Sequence, residues 1–285
     1  MLNSVVAGLP GGAAYAIVGV VLVLQYRMAG VVNFAVGGIS VFGAVVFAKL
    51  FGAQVPMWVS LIAGLALSSL IAFTVGVAMV RWFSDKSILN RSAVTIAVGV
   101  SLSALALRAF GPYPYQFPTL FASWRTEIGS TVVPGATFFA VGLTCGLSLA
   151  LWALLRWTRV GTLMRAISNR APTAALLGVP ISALTGAVWA LGGAVGTLAL
   201  MLLAPSRQTD VPNLGAIMVG ALAAALVGAF NSFTLTVIGG LAIGIFEAIA
   251  VSDADLATYD QVVPFVVIIA ALMWNQRREA WNEDR

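Results

Sequence analysis

Few residues in this chain could do chemistry. Glu247 is the single acid inside a hydrophobic segment, so there is no paired carboxylate for acid–base work. The chain has no histidine, which removes the commonest general base and metal ligand. No serine therefore has an imidazole to activate it, and no Cys/His spacing suits zinc. A phosphate loop of the form G-x-x-x-x-G-K-[ST] needs a Lys after Gly. Lys49 follows Ala48 and Lys86 follows Asp85, so neither fits. An enzyme is not expected, and ATP hydrolysis by this chain alone is excluded. What remains is polar side chains within apolar runs: Gln25, Asn33, Ser40, Thr95, Ser101, Ser103 and Glu247. Hydroxyls there usually bond back to their own or a neighbouring helix. Asn33 is different, because Phe34, Gly37 and Gly38 follow it. Glycines let a helix break and expose backbone groups, which is tolerated only against protein or a watery cavity. Asn33 therefore reads either as a helix cap or as part of a solute path. Glu247 needs a partner or water, as a functional acid or as a solvated acid at the rim of its span.

A second cluster is basic. Arg156, Arg159, Arg165 and Arg170 precede Pro172 and Gly178 in a polar-edged stretch, 156–180, that holds no acid. Pro172 suits a first helical position, Thr173–Leu177 are mostly good helix formers, and Gly178 suits a left-handed cap that Pro180 then enforces. The spacing predicts a short helix on a membrane face, basic on one side and apolar on the other. Its small Ala174–Ala175 surface permits close approach of a partner.

The elements that position these residues are membrane helices. Hydrophobic residues make up 60% of 285, charged ones 9%, and the mean hydropathy is +1.00. Apolar runs lie at 4–25, 31–48, 57–80, 92–109, 134–155, 181–203, 215–229, 233–251 and 262–274, and about 20 apolar residues cross a bilayer. The fold class is an all-α integral membrane protein, a polytopic bundle of eight or nine segments. Two of them, 31–48 and 215–229, are short and Gly-broken. No basic residue precedes the first run, so it is expected to be retained rather than cleaved. A Pro- and aromatic-rich connector spans 111–133, and 81–91 is a polar stretch. No soluble domain is expected; 1–285 reads as one transmembrane domain in a lipid bilayer. The net charge of +5 is explained by loop placement and asks for no nucleic acid. One set of loops carries eleven Lys/Arg and the other four, which puts the N-terminus outside and the C-terminus in the cytoplasm. Cys145, mid-span, reads as a packing residue.

Three passages carry a resemblance: GGAAYAIVGVVLVLQYRMAGVVNFAVGG, RVGTLMRAISNRAPTAALLGV and VGALAAALVGAFNSFTLTVIGGLAIGIFEAIAV. With the spacing of spans, they resemble the membrane permease of branched-chain amino acid ABC importers, a family that also serves urea, short amides and, more distantly, sugars. The resemblance implies a coupling helix that sits in a groove of an ATP-binding cassette subunit. Arg159, Gly161, Arg165, Ala166, Asn169, Arg170, Ala174, Ala175 and Gly178 occupy the matching stretch. Asn33, Phe34, Gly37, Gly38 and Glu247 are the path candidates. It also implies a second permease subunit, identical or homologous, an extracytoplasmic solute-binding protein, and ATP used by partner subunits rather than bound here. Two departures stand out: Asn169-Arg170 replace common family acids, and Val36 replaces a common His. A stand-alone carrier or channel is the competing reading. It would want mid-membrane acids and has no use for a basic docking helix.

Overall fold

The computed structural model describes residues 2–112, 114–118, 124–128, 131–204, 211–253 and 256–283. In hydrocarbon every backbone N–H and C=O must find a partner inside its own segment, so the apolar runs become helices. In chain order they are α1 (Leu2–Ala29), α2 (Val36–Gly52), α3 (Met57–Phe83), α4 (Ile88–Phe110), α5 (Gly135–Trp157), α6 (Arg159–Leu176), α7 (Ile181–Leu203), α8 (Val211–Val227), α9 (Phe233–Ser252) and α10 (Val263–Glu283). Among the described residues six helices are long and apolar enough to cross a membrane, and three shorter apolar stretches are Val36–Gly52, Met218–Val227 and Val263–Trp274. The last of these was not anticipated as short. This is the polytopic helical bundle expected.

Two boundaries differ from the sequence reading. The 81–91 stretch is mostly helix: α3 continues to Phe83 and α4 begins at Ile88, where the Ser87 hydroxyl accepts from Asn90 N–H at 3.3 Å. The connector 111–133 contains part of an antiparallel hairpin, β1 (Arg125–Ile128) and β2 (Thr131–Pro134), with Arg125 opposite Pro134 and Ile128 opposite Thr131.

The chain divides into two compact units. One comprises Leu24–Pro118 and Gly146–Met218. Here α2, α3, α4 and α7 pack around Val31, Ala35, Ile39, Ala72, Met79 and Trp189, all buried. The helices meet through small residues, as expected where lipid supplies no hydrophobic drive between them. A Cβ on Gly38 would collide with the Gly99 carbonyl, and one on Gly76 would lie 2.7 Å from the Trp189 ring. Outside the spans, Tyr115 donates to the Gly111 carbonyl at 2.9 Å, and the Lys49 ammonium lies 5.6 Å from the Tyr115 ring centre. Burial pushes the Tyr115 phenol up, which keeps it the neutral donor that bond requires.

The other unit comprises Met1–Val23, Thr119–Cys145 and Val219–Arg285. Gly8 and Gly12 of α1 face Gly240 and Gly244 of α9. A Cβ on Gly12 would sit 2.7 Å from Leu241 Cα, and one on Gly240 would sit 2.5 Å from Ala16 N. The Thr144 hydroxyl of α5 donates to the Ala13 carbonyl at 2.9 Å. Cys145 is exposed, so it is not the packing residue expected. Exposed Ile62, Leu70, Leu149, Ile238 and Phe265 are the ordinary outer surface of a bundle whose solvent is lipid.

Candidate functional site

The basic stretch forms a longer element than its sequence suggested. Thr158 caps α6 by accepting from Gly161 N–H at 3.0 Å. Gly161 is pressed onto the end of α5: a Cβ there would lie 2.6 Å from Leu155 Cα. Gly161, Met164 and Ile167 are buried at a spacing of three, Ala166 is half-buried, and Arg159, Arg165 and Asn169 are exposed. Residues 159–169 are therefore an amphipathic helix seated on the chain, which was not foreseen. At Arg170 the backbone leaves the helix (φ −150°, ψ 91°) and then resumes. Pro172 thus stands one place later than the first position expected for it. The second position is equally free of an intrahelical N–H partner, so the proline costs nothing there either.

The end of α6 follows the expected chemistry. Gly178 has φ +77°. Its N–H donates to the Ala175 carbonyl at 3.0 Å, and Val179 N–H donates to the Ala174 carbonyl at 3.1 Å, the paired closure of a left-handed C-cap. Ala174 is 3% exposed and turned into the chain. The surface offered outward is Ala175 with Leu176 and Leu177, exposed at 90% and 78%. Two protruding leucines on a polar, basic element were not singled out from sequence. They are the kind of apolar anchor that a partner surface buries.

The second candidate site is the break between α1 and α2. Asn33 is buried; its Oδ1 accepts from Ala35 N–H at 3.0 Å, and its Nδ2 donates to Gln25 Oε1 at 3.2 Å. Asn33 thus braces the turn ahead of α2, whose own N-cap position, Ala35, has no side-chain cap bond. Thr95 of α4 donates to the Val32 carbonyl at 3.2 Å and accepts from Phe34 N–H at 3.4 Å. Arg91 donates from Nη1 to the Ala29 carbonyl at 2.8 Å, a cation at the negative end of α1. Gly37 and Gly38 are buried, while Phe34 is partly exposed. Gly38 serves close contact with α4.

The third is Glu247. It is 3% exposed and accepts from the Tyr15 hydroxyl on both oxygens, at 3.0 and 2.8 Å. The solvated rim acid is thereby set aside. A Cβ on Gly220 would lie 2.6 Å from the Tyr15 ring, so α8 holds that ring in place. Tyr15 was not foreseen, and no local pattern links residues 232 apart. Among the described residues no group of three His, Cys, Asp or Glu side chains could hold a metal.

Comparisons with known proteins agree with this architecture. Permeases named "High-affinity branched-chain amino acid transport system permease protein LivH" from Salmonella typhimurium and Escherichia coli K12 are 26% and 27% identical, over 95% of this chain and 92% of theirs. "Probable branched-chain amino acid transport permease protein LivH" of Methanocaldococcus jannaschii is 25% identical over 88% of this chain and 84% of its own. Residues 4–272 match the family described as branched-chain amino acid transport system / permease component. The chain belongs to that family, as a multi-pass membrane permease component.

Proposed function

We propose that this chain is the membrane-spanning permease subunit of an ABC importer for branched-chain or other small amino acids, powered by separate ATPase subunits. The observation that carries the reading is α6: an amphipathic helix without acids, seated on the end of α5, closing in a rigid glycine cap that projects Leu176 and Leu177 outward. A lone carrier has no use for such an element, whereas a groove in an ATPase buries it. The Lys/Arg asymmetry supports an orientation with α6 and the C-terminus in the cytoplasm and the N-terminus outside. A solute-binding protein delivers the substrate to the outer loops 108–133 and 205–214, of which 113, 119–123, 129–130 and 205–210 lie outside the described residues. A second permease subunit completes the path. ATP closure moves α6, and the bundle follows; the chain contributes a shaped path and no covalent chemistry.

The test is uptake of labelled leucine into vesicles that hold this permease with its ATPase, second permease and binding protein. Uptake that needs ATP and the ATPase subunit is expected. ATP-independent uptake by this chain alone would show a stand-alone carrier instead.

A further inference from the structure

The α1/α2 break holds more donors than the protein satisfies. Ala35 N–H fixes the Asn33 oxygen, so Asn33 turns its Nδ2 to Gln25, and Gln25 must answer with Oε1. That leaves Gln25 Nε2 fully buried with no partner, on a residue that is 0% exposed. Trp189 of α7 lies in one buried cluster with Val31, Ala35 and Ile39, and its indole Nε1 is likewise buried and unpartnered. Arg91, held to the Ala29 carbonyl by Nη1, has a third such atom in its Nε. All three groups are pure donors, and each residue touches the segment from Ala29 to Ile39: Arg91 at Ala29, Gln25 at Asn33, and Trp189 in the cluster with Val31, Ala35 and Ile39. Arg91 adds a formal positive charge, and the start of α2 adds the positive end of its dipole.

Burying a donor without an acceptor is unfavourable, and three at one break point to an occupant that supplies acceptors. A water supplies two and must itself donate. A carboxylate supplies two oxygens and the matching charge. We propose that the α1/α2 break is a carboxylate-recognising station for the transported solute, formed by Gln25, Trp189 and Arg91. The proposal rests on the amino-acid permease reading above and names the part of the substrate this segment reads. Asn33 is a positioning residue in it, because it holds Gln25 with the amide nitrogen turned away. Gln25 and Trp189 are sealed in this conformation, so the station opens only when the helices around it shift.

The test uses the purified permease–ATPase complex without the binding protein, so that only the membrane part can bind solute. The midpoint of thermal unfolding is followed against leucine, 4-methylpentanoate (the carboxylate without the ammonium) and leucinamide (the ammonium without the carboxylate). Leucine and 4-methylpentanoate at millimolar concentration are expected to raise the midpoint, and leucinamide is not. Gln25→Met should raise the half-saturating leucine concentration about tenfold or more. Gln25→Glu keeps an acceptor for Asn33 while replacing the free donor with a negative charge that repels a carboxylate. It should abolish the response to both carboxylates, and it serves if the Met variant does not fold. Equal responses to leucine and leucinamide would overturn the station, as would a wild-type response in both variants. No response to any carboxylate means a buried water only, and also overturns it. Labelled-leucine uptake by the wild-type importer is read separately. If uptake is absent yet 4-methylpentanoate still binds through Gln25, the amino-acid reading fails and the carboxylate station stands.

Discussion

Tyr15 and Glu247 form a buried phenol–carboxylate contact between α1 and α9 in a region where helices otherwise meet through glycine. Tyr15→Phe keeps the ring against Gly220 and removes both contacts. A hydrogen bond to a charged or strongly polarised group contributes about 1.5–3 kcal/mol. The variant is therefore expected to insert normally and to unfold several degrees lower in a detergent thermal melt; an unchanged midpoint would show that the contact contributes nothing. Gly38→Leu has a different cause. Its side chain would enter the Gly99 backbone, and overpacking of that kind costs about 1–3 kcal/mol or more. We expect loss of monodisperse protein on size-exclusion chromatography. At this scale the sequence was partly legible. A lone acid in an apolar run announces that it needs a partner, but which partner depends on packing between segments more than 200 residues apart. Asn33 left two roles open, and its contact with Ala35 N–H in the turn ahead of α2 is compatible with both.

At the scale of elements, α6 separates what local chemistry reveals from what packing decides. Gly178 and Pro180 announced the end of the helix, because a left-handed cap is a property of a few consecutive residues. The first half, Arg159 to Asn169, went unread. Its buried face is Gly161, Met164 and Ile167, and a glycine in an apolar stripe weakens the periodicity that signals an amphipathic helix. Gly161 is there because Leu154 and Leu155 leave no room for a Cβ, which only the packed structure shows. The hairpin was passed over although Gly129-Ser130, between Ile128 and Thr131, is a two-residue turn signal. Two variants test the ends of α6. Thr158→Ala removes the N-cap and costs about 1 kcal/mol, read as faster amide exchange confined to the first turn. Gly178→Val forces a branched side chain to φ +77°, costing about 1–2 kcal/mol or more. It should loosen Ala175–Leu177 without affecting membrane insertion, and unaltered exchange there would contradict the assigned cap.

At the scale of the whole molecule, hydropathy alone gave the class and the approximate spans, because a bilayer leaves few other solutions. The glycine content announced close helix contacts. It did not say that Gly8 and Gly12 would meet Gly240 and Gly244, since the spacing of four residues is common to many helix pairs. The purified chain alone is expected to show no ATP turnover above an empty-detergent control, and turnover by it would contradict the subunit reading.

The central claim is that α6 delivers the work of a separate ATPase to this permease, and the affinity of ATPase subunits for detergent-solubilised Ala175→Glu tests it most directly. Ala175 is exposed beside Leu176 and Leu177, so the substitution leaves the chain's own packing intact. In a docked complex it places an unpaired charge in the contact. Breaking a buried contact that way costs about 3–5 kcal/mol, or a factor of about 100 or more in affinity. The account predicts pull-down weakened by at least about that factor, with ATP turnover no longer stimulated by solute. Wild-type affinity and turnover in Ala175→Glu would reduce α6 to a basic linker and contradict the account.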